Sequence, residues 1–313
     1  MVTILEKLRA ALGADRVGAN VPLAPLTSFG IGGPADHLFD AHTTDELVLA
    51  VRIAREGGIP VTLVGGGSNV LVADRGIRGL VVRPRAKQIA SAGDRLACAD
   101  AGVTINGLVR WTISRGLGGL EAWAGTPGTI GGAVHGNAHY GGHLIGEWVS
   151  SVSLLRRDGR VTDVPQSEMA FGYDSSRLQT TGEILLQAVV RVVPDCDPAA
   201  LRTVARQSLV HRKRTQPLHL RSAGCAFKNP DPARDRLPAG TPWSAGALID
   251  LAGLKGRTVG GACVSTVHAN FIVNQGGATA ADVRALIEIC RREVFARFGV
   301  QLRDEIVYLG EFE

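Results

Sequence analysis

Apolar and polar positions along this 313-residue chain follow two periods, and the changes of period divide it into elements. The opening stretch, MVTILEKLRAALGADR, sets charged residues among apolar ones at helical spacing. From Thr44, TDELVLAVRIAREGG places Leu47, Val51 and Ala54 on one helical face and stops at Gly57 and Gly58. The run Val61–Val64 predicts a strand that empties into a glycine loop, VGGGSNVLV. After Pro84 the texture becomes short strand-like runs, among them Leu96–Ala101 and Val149–Leu155, with Asp158-Gly159 as a turn. Asp197-Pro198, an N-cap followed by proline at the first helical position, opens a helix that runs to Arg214. A proline-rich stretch follows and reads as loops. The capping box Thr279-Ala-Ala-Asp282 then opens a long helix with Val283, Leu286, Ile287, Cys290, Val294 and Phe298 as its apolar stripe. The chain closes on LRDEIVYLGE, a strand pattern in which Leu302, Ile306 and Leu309 read as core-facing and Asp304-Glu305 interrupts them. A chain of this length, 45% hydrophobic, is expected to bury two or three cores.

The segment Gly116–Gly146 departs from both periods, with eleven glycines among its thirty-one residues and almost no charge. Glycines at this density let successive N–H groups face one concavity, the way a backbone wraps an anionic pyrophosphate. Together with the loop after Val64 it predicts two nests and therefore a long, dinucleotide-like ligand. Neither loop has the lysine of a P-loop or the spaced glycines of a Rossmann fingerprint. Gly30, Gly32 and Ala35 in FGIGGPAD match a relaxed form of that fingerprint, but no strand–helix unit surrounds them and Pro34 sits inside the match, so the segment reads as a tight turn.

Composition narrows the classes. The start of the chain has no continuous apolar core or small-residue cleavage site, and no apolar stretch approaches the ~20 residues of a membrane span, so a soluble protein is expected. Five cysteines at irregular spacing, without a C-x-x-C pair, argue against a disulfide framework or structural zinc and fit a reducing cytoplasm. The net charge of +5 raises nucleic acid as a partner, but aromatics are few and the densest basic run, His211 to Arg214, stands at a helix end, where cations complement the dipole. Small anionic phosphates are the better-matched partners. Cys225 lies between Arg221 and Lys228, an arrangement that favours its thiolate and marks an anion-facing loop.

VGGGSNVLV, AGTPGTIGGAVHGNA, SAGCAFKNP, LIDLAGLKG, VSTVHANFIVN and DEIVYLGE occur in an order that resembles the UDP-N-acetylenolpyruvoylglucosamine reductase family over nearly the whole chain. The resemblance implies an α+β fold: an FAD-binding fold of two α+β subdomains, residues 1–83 and 84–208, the latter joined by the closing strand 302–313, and an α+β substrate-binding domain at 209–301. It implies non-covalent FAD, NADPH as hydride donor, a UDP-sugar substrate, no metal, a role in peptidoglycan precursor synthesis, and a cytoplasmic enzyme acting as a monomer without nucleic acid or membrane. Hydride is expected to pass from NADPH through flavin to the enolpyruvyl methylene carbon. The resulting negative charge then needs donors or cations, and the adjacent carbon needs a proton. Residue by residue, the resemblance assigns Gly65, Gly66, Gly67, Ser68, Asn69, Thr126, Pro127, Gly128, Ile130, Gly131, Gly132 and Asn137 to FAD. Lys228, Asn229 and Lys255 fall to the substrate, and Glu305 is the expected catalytic glutamate.

Two positions depart from the family pattern. Cys225 stands where serine is usual as proton donor, and a thiol, the stronger acid, serves the same role. In FGYDSSRLQ, Asp174 stands where arginine usually follows the tyrosine, and either Arg177 reaches the substrate carboxylate from a shifted position or another basic residue replaces that arginine. Tyr140, Tyr173 and Tyr308 all lie in other matched segments, which suggests the shorter class without a substrate-covering tyrosine loop. The alternative reading is an FAD-dependent oxidase of the same superfamily acting on an alcohol or sugar, which would share the glycine loops but not FKNP or DEIVYLGE.

Overall fold

The structure is a computed structural model that describes residues 4–312. Met1 to Thr3, the start of the first amphipathic segment, and Glu313, the last residue of the closing stretch, lie outside them. The chain runs through α1 (Ile4–Leu12), β1 (Val17–Pro22), β2 (Pro34–Ala41), α2 (Thr44–Glu56), β3 (Val61–Leu63), β4 (Val70–Val72), β5 (Ile77–Pro84), β6 (Ile89–Ser91) and β7 (Leu96–Asp100). Next come α3 (Ile105–Ser114), α4 (Ile130–His135), the hairpin β8 (His139–Tyr140) and β9 (His143–Leu144), α5 (Ile145–Trp148), β10 (Val149–Leu155), β11 (Val161–Pro165), α6 (Leu178–Thr181) and β12 (Ile184–Arg191). It ends with α7 (Pro198–Thr215), α8 (Ala245–Leu251), β13 (Thr258–Val259), β14 (Ala262–Val264), β15 (Ile272–Asn274), α9 (Ala280–Phe298) and β16 (Val307–Leu309). None of the described helices is long and apolar enough to cross a membrane.

Caps define the helices that the pattern predicts. Thr43 accepts the Glu46 amide at the start of α2, and Leu47, Val51 and Ala54 are buried along it. Asp197 accepts the amides of Ala199 and Ala200 ahead of Pro198 in α7. Thr279 and Asp282 form the reciprocal capping box of α9, whose stripe from Val283 to Val294 is buried. The helix α3 is not signalled as clearly by the sequence, and Thr104 caps it through the Gly107 amide.

The described residues form two compact units. The first holds Ala19 and the residues before it, His37–Gly66 and Gly79–His211; the second holds Asn20–Asp36, Gly67–Arg78 and Arg212 onward. In the first unit a four-stranded sheet, order β1-β2-β5-β3, packs with α1 and α2 around Leu8, Phe39, Val51 and Leu80. A five-stranded sheet, order β11-β10-β12-β7-β6, carries a separate apolar cluster with Trp123, Ile130 and Leu154. The second unit builds its core from Leu248 of α8, Leu286 of α9, Ile272 of β15 and Leu71 of β4, together with Phe29, Phe227 and Ile306.

The closing stretch differs from the expectation that it joins residues 84–208. Its strand β16 pairs in parallel with β4, Val307 opposite Val70 and Leu309 opposite Val72. Leu302 and Ile306 enter the core shared with Phe227 and Leu286, and that burial draws the strand into the second unit. Asn20–Asp36 and Gly67–Arg78, inside the expected 1–83 subdomain, belong to the second unit as well. The fold class is α+β.

Candidate active site

In the first unit, β3 delivers Gly65 and Gly66 against the segment Thr126–Asn137. A Cβ on Gly65 would lie 2.4 Å from Thr129 Oγ1, and one on Gly66 would lie 2.9 Å from the Gly128 Cα, so side chains are excluded where the two backbones meet. Asn106 fixes the start of that segment, donating Nδ2 to the Thr126 carbonyl at 3.0 Å and accepting the Gly125 amide at 2.7 Å. The amides of Gly65, Gly66, Gly128 and Thr129 have no protein acceptor among the described residues. A phosphate oxygen would complete them, so this cradle fits the pyrophosphate of FAD.

Further along the segment, the amides are taken within the protein. Ile130 donates its amide to Val103 O at 2.8 Å and Gly131 donates to Ala101 O at 2.9 Å, while Gly132 donates to the capping Thr129 hydroxyl. Asn137, 1% exposed, spends its side chain inside the protein, donating to Gly172 O and accepting the Gly146 amide, each at 2.8 Å. These residues shape the cradle by tying it down. Burial lowers the His135 pKa, keeping that ring neutral near pH 7.

Arg177 does not present an uncommitted guanidinium. Nε and Nη2 donate to the two oxygens of Glu183 at 2.9 and 3.1 Å, and Nη1 donates to the Glu168 carbonyl at 3.1 Å. Arg156 pairs with the same Glu183, whose side chain is 5% exposed. Burial opposes the charge on Glu183, but bonds from Thr181 and Arg177 and the field of Arg156 outweigh it and hold the carboxyl below its ordinary pKa. Asp174, at φ +50°, binds His139 Nδ1 at 2.9 Å, and that ring stacks on Tyr173 at 5.1 Å.

In the second unit, SAGCAFKNP is laced between two segments. Ala226 donates to the Asn270 carbonyl at 2.7 Å, and Asn270, 3% exposed, closes both ends of Phe227 with its side chain at 3.0 and 2.7 Å. Lys228 N donates to Arg303 O at 2.8 Å, and Glu305 N donates to Ala226 O at 2.9 Å. Cys225 and Glu305 thus stand on two neighbouring stretches of one short ladder. Asn270 was not assigned a role from the sequence; its only signal is its place in the motif VSTVHANFIVN.

The expected substrate residues have local partners. Asn229 Oδ1 accepts the Ala245 amide at 3.0 Å beside the Ser244 cap of α8, and Lys255 pairs with Asp250 at 2.5 Å. The glycines of FGIGGPAD serve chain packing: a Cβ on Gly33 would lie 2.1 Å from Asp74 O, and one on Gly30 would lie 2.4 Å from the Arg221 guanidinium. The amides of Gly67, Ser68 and Asn69 have no protein acceptor among the described residues, while Gly67 O accepts the Ser28 amide at 2.9 Å.

Residues 35–165 match a family described as FAD binding domain, and residues 216–309 match the UDP-N-acetylenolpyruvoylglucosamine reductase C-terminal domain. A UDP-N-acetylenolpyruvoylglucosamine reductase of Synechococcus sp. strain JA-3-3Ab is 38% identical over 96% of this chain and 93% of its own. One of Symbiobacterium thermophilum, named reductase 2, is 40% identical over 99% and 98%. The crystal structure of the Thermus caldophilus reductase superposes with a TM-score of 0.76 at 33% identity, covering 92% of this chain and 97% of that one. The chain belongs to the UDP-N-acetylenolpyruvoylglucosamine reductase family.

Proposed function

We infer that the chain reduces the enolpyruvyl group of UDP-N-acetylenolpyruvoylglucosamine to UDP-N-acetylmuramate, with FAD as cofactor and NADPH as hydride donor. The observation that carries this reading is the short ladder that sets Cys225 and Glu305 on adjacent stretches of the domain matched to the reductase family. Gly65, Gly66, Gly128 and Thr129 would hold the FAD pyrophosphate through their amides, and Asn106, Ile130, Gly131 and Asn137 keep the cradle in shape. FAD, when bound, would supply hydride transfer between NADPH and the methylene carbon of the substrate. The neighbouring carbon then carries negative charge delocalised onto the substrate carboxylate, and Cys225 Sγ gives it a proton. Glu305 acts in this second half, beside the thiol. Lys228, Asn229 and Lys255 hold the nucleotide portion, and the cation for the carboxylate falls to the basic residues flanking Cys225. Arg177 serves as a structural partner of Glu183.

An oxidase acting on an alcohol or sugar would leave the match at residues 216–309 without a purpose. The five cysteines are free thiols, which supports a cytoplasmic protein, and a monomer is proposed. Anaerobic NADPH should bleach the bound flavin, and UDP-N-acetylenolpyruvoylglucosamine should restore its colour. In Glu305→Gln, bleaching should proceed nearly as in wild type while substrate-driven recovery slows ~10²-fold or more, the range of acid–base groups. Recovery only with oxygen, and none with the enolpyruvyl sugar, would defeat the assignment.

A further inference from the structure

Asn69 stands in a glycine loop whose amides suit a phosphate, yet its side chain is turned to another use. Asn69 Nδ2 donates to the carbonyl of Glu305 at 3.1 Å, and the Asn69 carbonyl accepts the Val307 amide at 2.9 Å. The same residue therefore grips the closing stretch on both sides of Ile306, which is 4% exposed and anchored in the core. On the other side, the Glu305 amide is taken by Ala226 O. Both backbone polar groups of Glu305 are thus assigned, one to the loop of Cys225 and the other to the side chain of Asn69.

These two bonds differ in what they can do. The backbone bond from Val307 to Asn69, continued by the parallel pairing of β4 and β16, holds the strands together whatever side chain stands at position 69. Only the side-chain amide reaches the Glu305 carbonyl. That bond fixes the plane of the peptide after Glu305, and with it the direction in which the Glu305 carboxylate leaves the backbone. The task needs a short, neutral donor: alanine has none, and an ionised aspartate would face a carbonyl oxygen with negative charge.

The geometry points to Asn69 as a positioning residue for Glu305, its side chain acting on the proton chemistry and not on the cofactor. This rests on the reading of Glu305 as catalytic in the substrate half-reaction. A misplacement of ångström scale costs up to ~10²-fold in such steps, so loss of the bond is expected to cost ~10-fold or more there and little elsewhere.

The test uses the full-length holoenzyme carrying Asn69→Ala or the isosteric Asn69→Asp. The second keeps the side-chain volume and the backbone bond to Val307 while removing the donor, so it carries the test if the alanine variant does not fold. Expected are an FAD dissociation constant within about 2-fold of wild type, an unchanged rate of bleaching by NADPH, and flavin recovery with the enolpyruvyl sugar slowed ~10-fold or more. In the Glu305→Gln background, Asn69→Asp should add almost nothing, since the two act as one unit. FAD affinity and both half-reactions falling together would make the side chain a cofactor ligand and overturn the proposal; so would wild-type recovery. If Glu305→Gln itself recovered at the wild-type rate, the fault would lie in the catalytic reading. If Glu305→Gln were slow and both Asn69 variants fast, only the role of Asn69 would fall.

Discussion

Cys225 is one of five cysteines, and the other four differ from it in surroundings. Burial pushes the Cys290 thiol up to about 12, and it raises those of Cys98 and Cys263 as well. Cys196 turns its sulfur to the carbonyls of Val193 and Pro194. Thiol alkylation should therefore inactivate the enzyme through Cys225, with bound substrate protecting it and Cys225→Ser resisting. A general acid must hold its proton to act, so turnover should fall with rising pH as the thiol ionises, and the serine variant should move that alkaline limb upward or abolish it. Full turnover and an unmoved profile in Cys225→Ala would leave the thiol a packing residue. Arg177 carries the opposite expectation to the one its sequence position suggests. Removing it leaves Glu183 buried with Arg156 as its one ionic partner among the described residues, so Arg177→Ala should cost roughly 3 kcal/mol of stability, read from denaturant unfolding, while substrate-driven flavin recovery changes little. A stable variant that fails in recovery would return Arg177 to the substrate.

At the scale of elements, the proposed cofactor cradle rests on the meeting of two loops. The Gly66 backbone lies on that of Gly128, and an added methyl group has only main chain to push against. Gly66→Ala should force a shift worth about 1–3 kcal/mol and weaken FAD binding ~10-fold or more, measured by flavin fluorescence on reconstitution. At Gly132 the added Cβ would meet nothing closer than 3.7 Å, so Gly132→Ala should fold normally. Equal FAD affinity in both variants would show that the tight approach of the two loops does not govern binding. The caps of α7 and α9 are legible in the sequence, because Asp197 and Thr279 each satisfy amides a few residues away. Which amides of Thr126–Asn137 stay available for phosphate is not, since Ile130 and Gly131 lose theirs to carbonyls about thirty residues earlier in the chain.

For the whole molecule, FAD held by backbone amides requires no covalent link, although His135, His139 and His143 lie in the glycine-rich segment. Acid precipitation of the yellow protein should release the colour into the supernatant, and a coloured pellet would reveal a linkage. His139 is already engaged with Asp174 and Tyr173, and His135 is half-buried with its pKa lowered by desolvation, which agrees with free release. The chain is divided between its units several times over: Asn20–Asp36 and Gly67–Arg78 leave the N-terminal third to pack with residues beyond Arg212.

Elements with local causes, among them α2, α7 and α9, are legible in the sequence alone, as is the glycine density around Gly65–Asn69, whereas Glu305 is singled out there only through the family resemblance. The sequence also determined the family, since the motifs recur in one order along the chain. Only the tertiary structure decided that β16 lies beside β4, that Arg177 belongs to Glu183, and that the Asn69 side chain holds Glu305. The reason is separation: Asn69 and Glu305 are 236 positions apart, and a hydrogen bond across that distance leaves no periodicity or spacing in the chain that makes it. Such pairings follow from which core each strand enters, and Leu302 and Ile306 settle that choice only once Phe227 and Leu286 are in place around them.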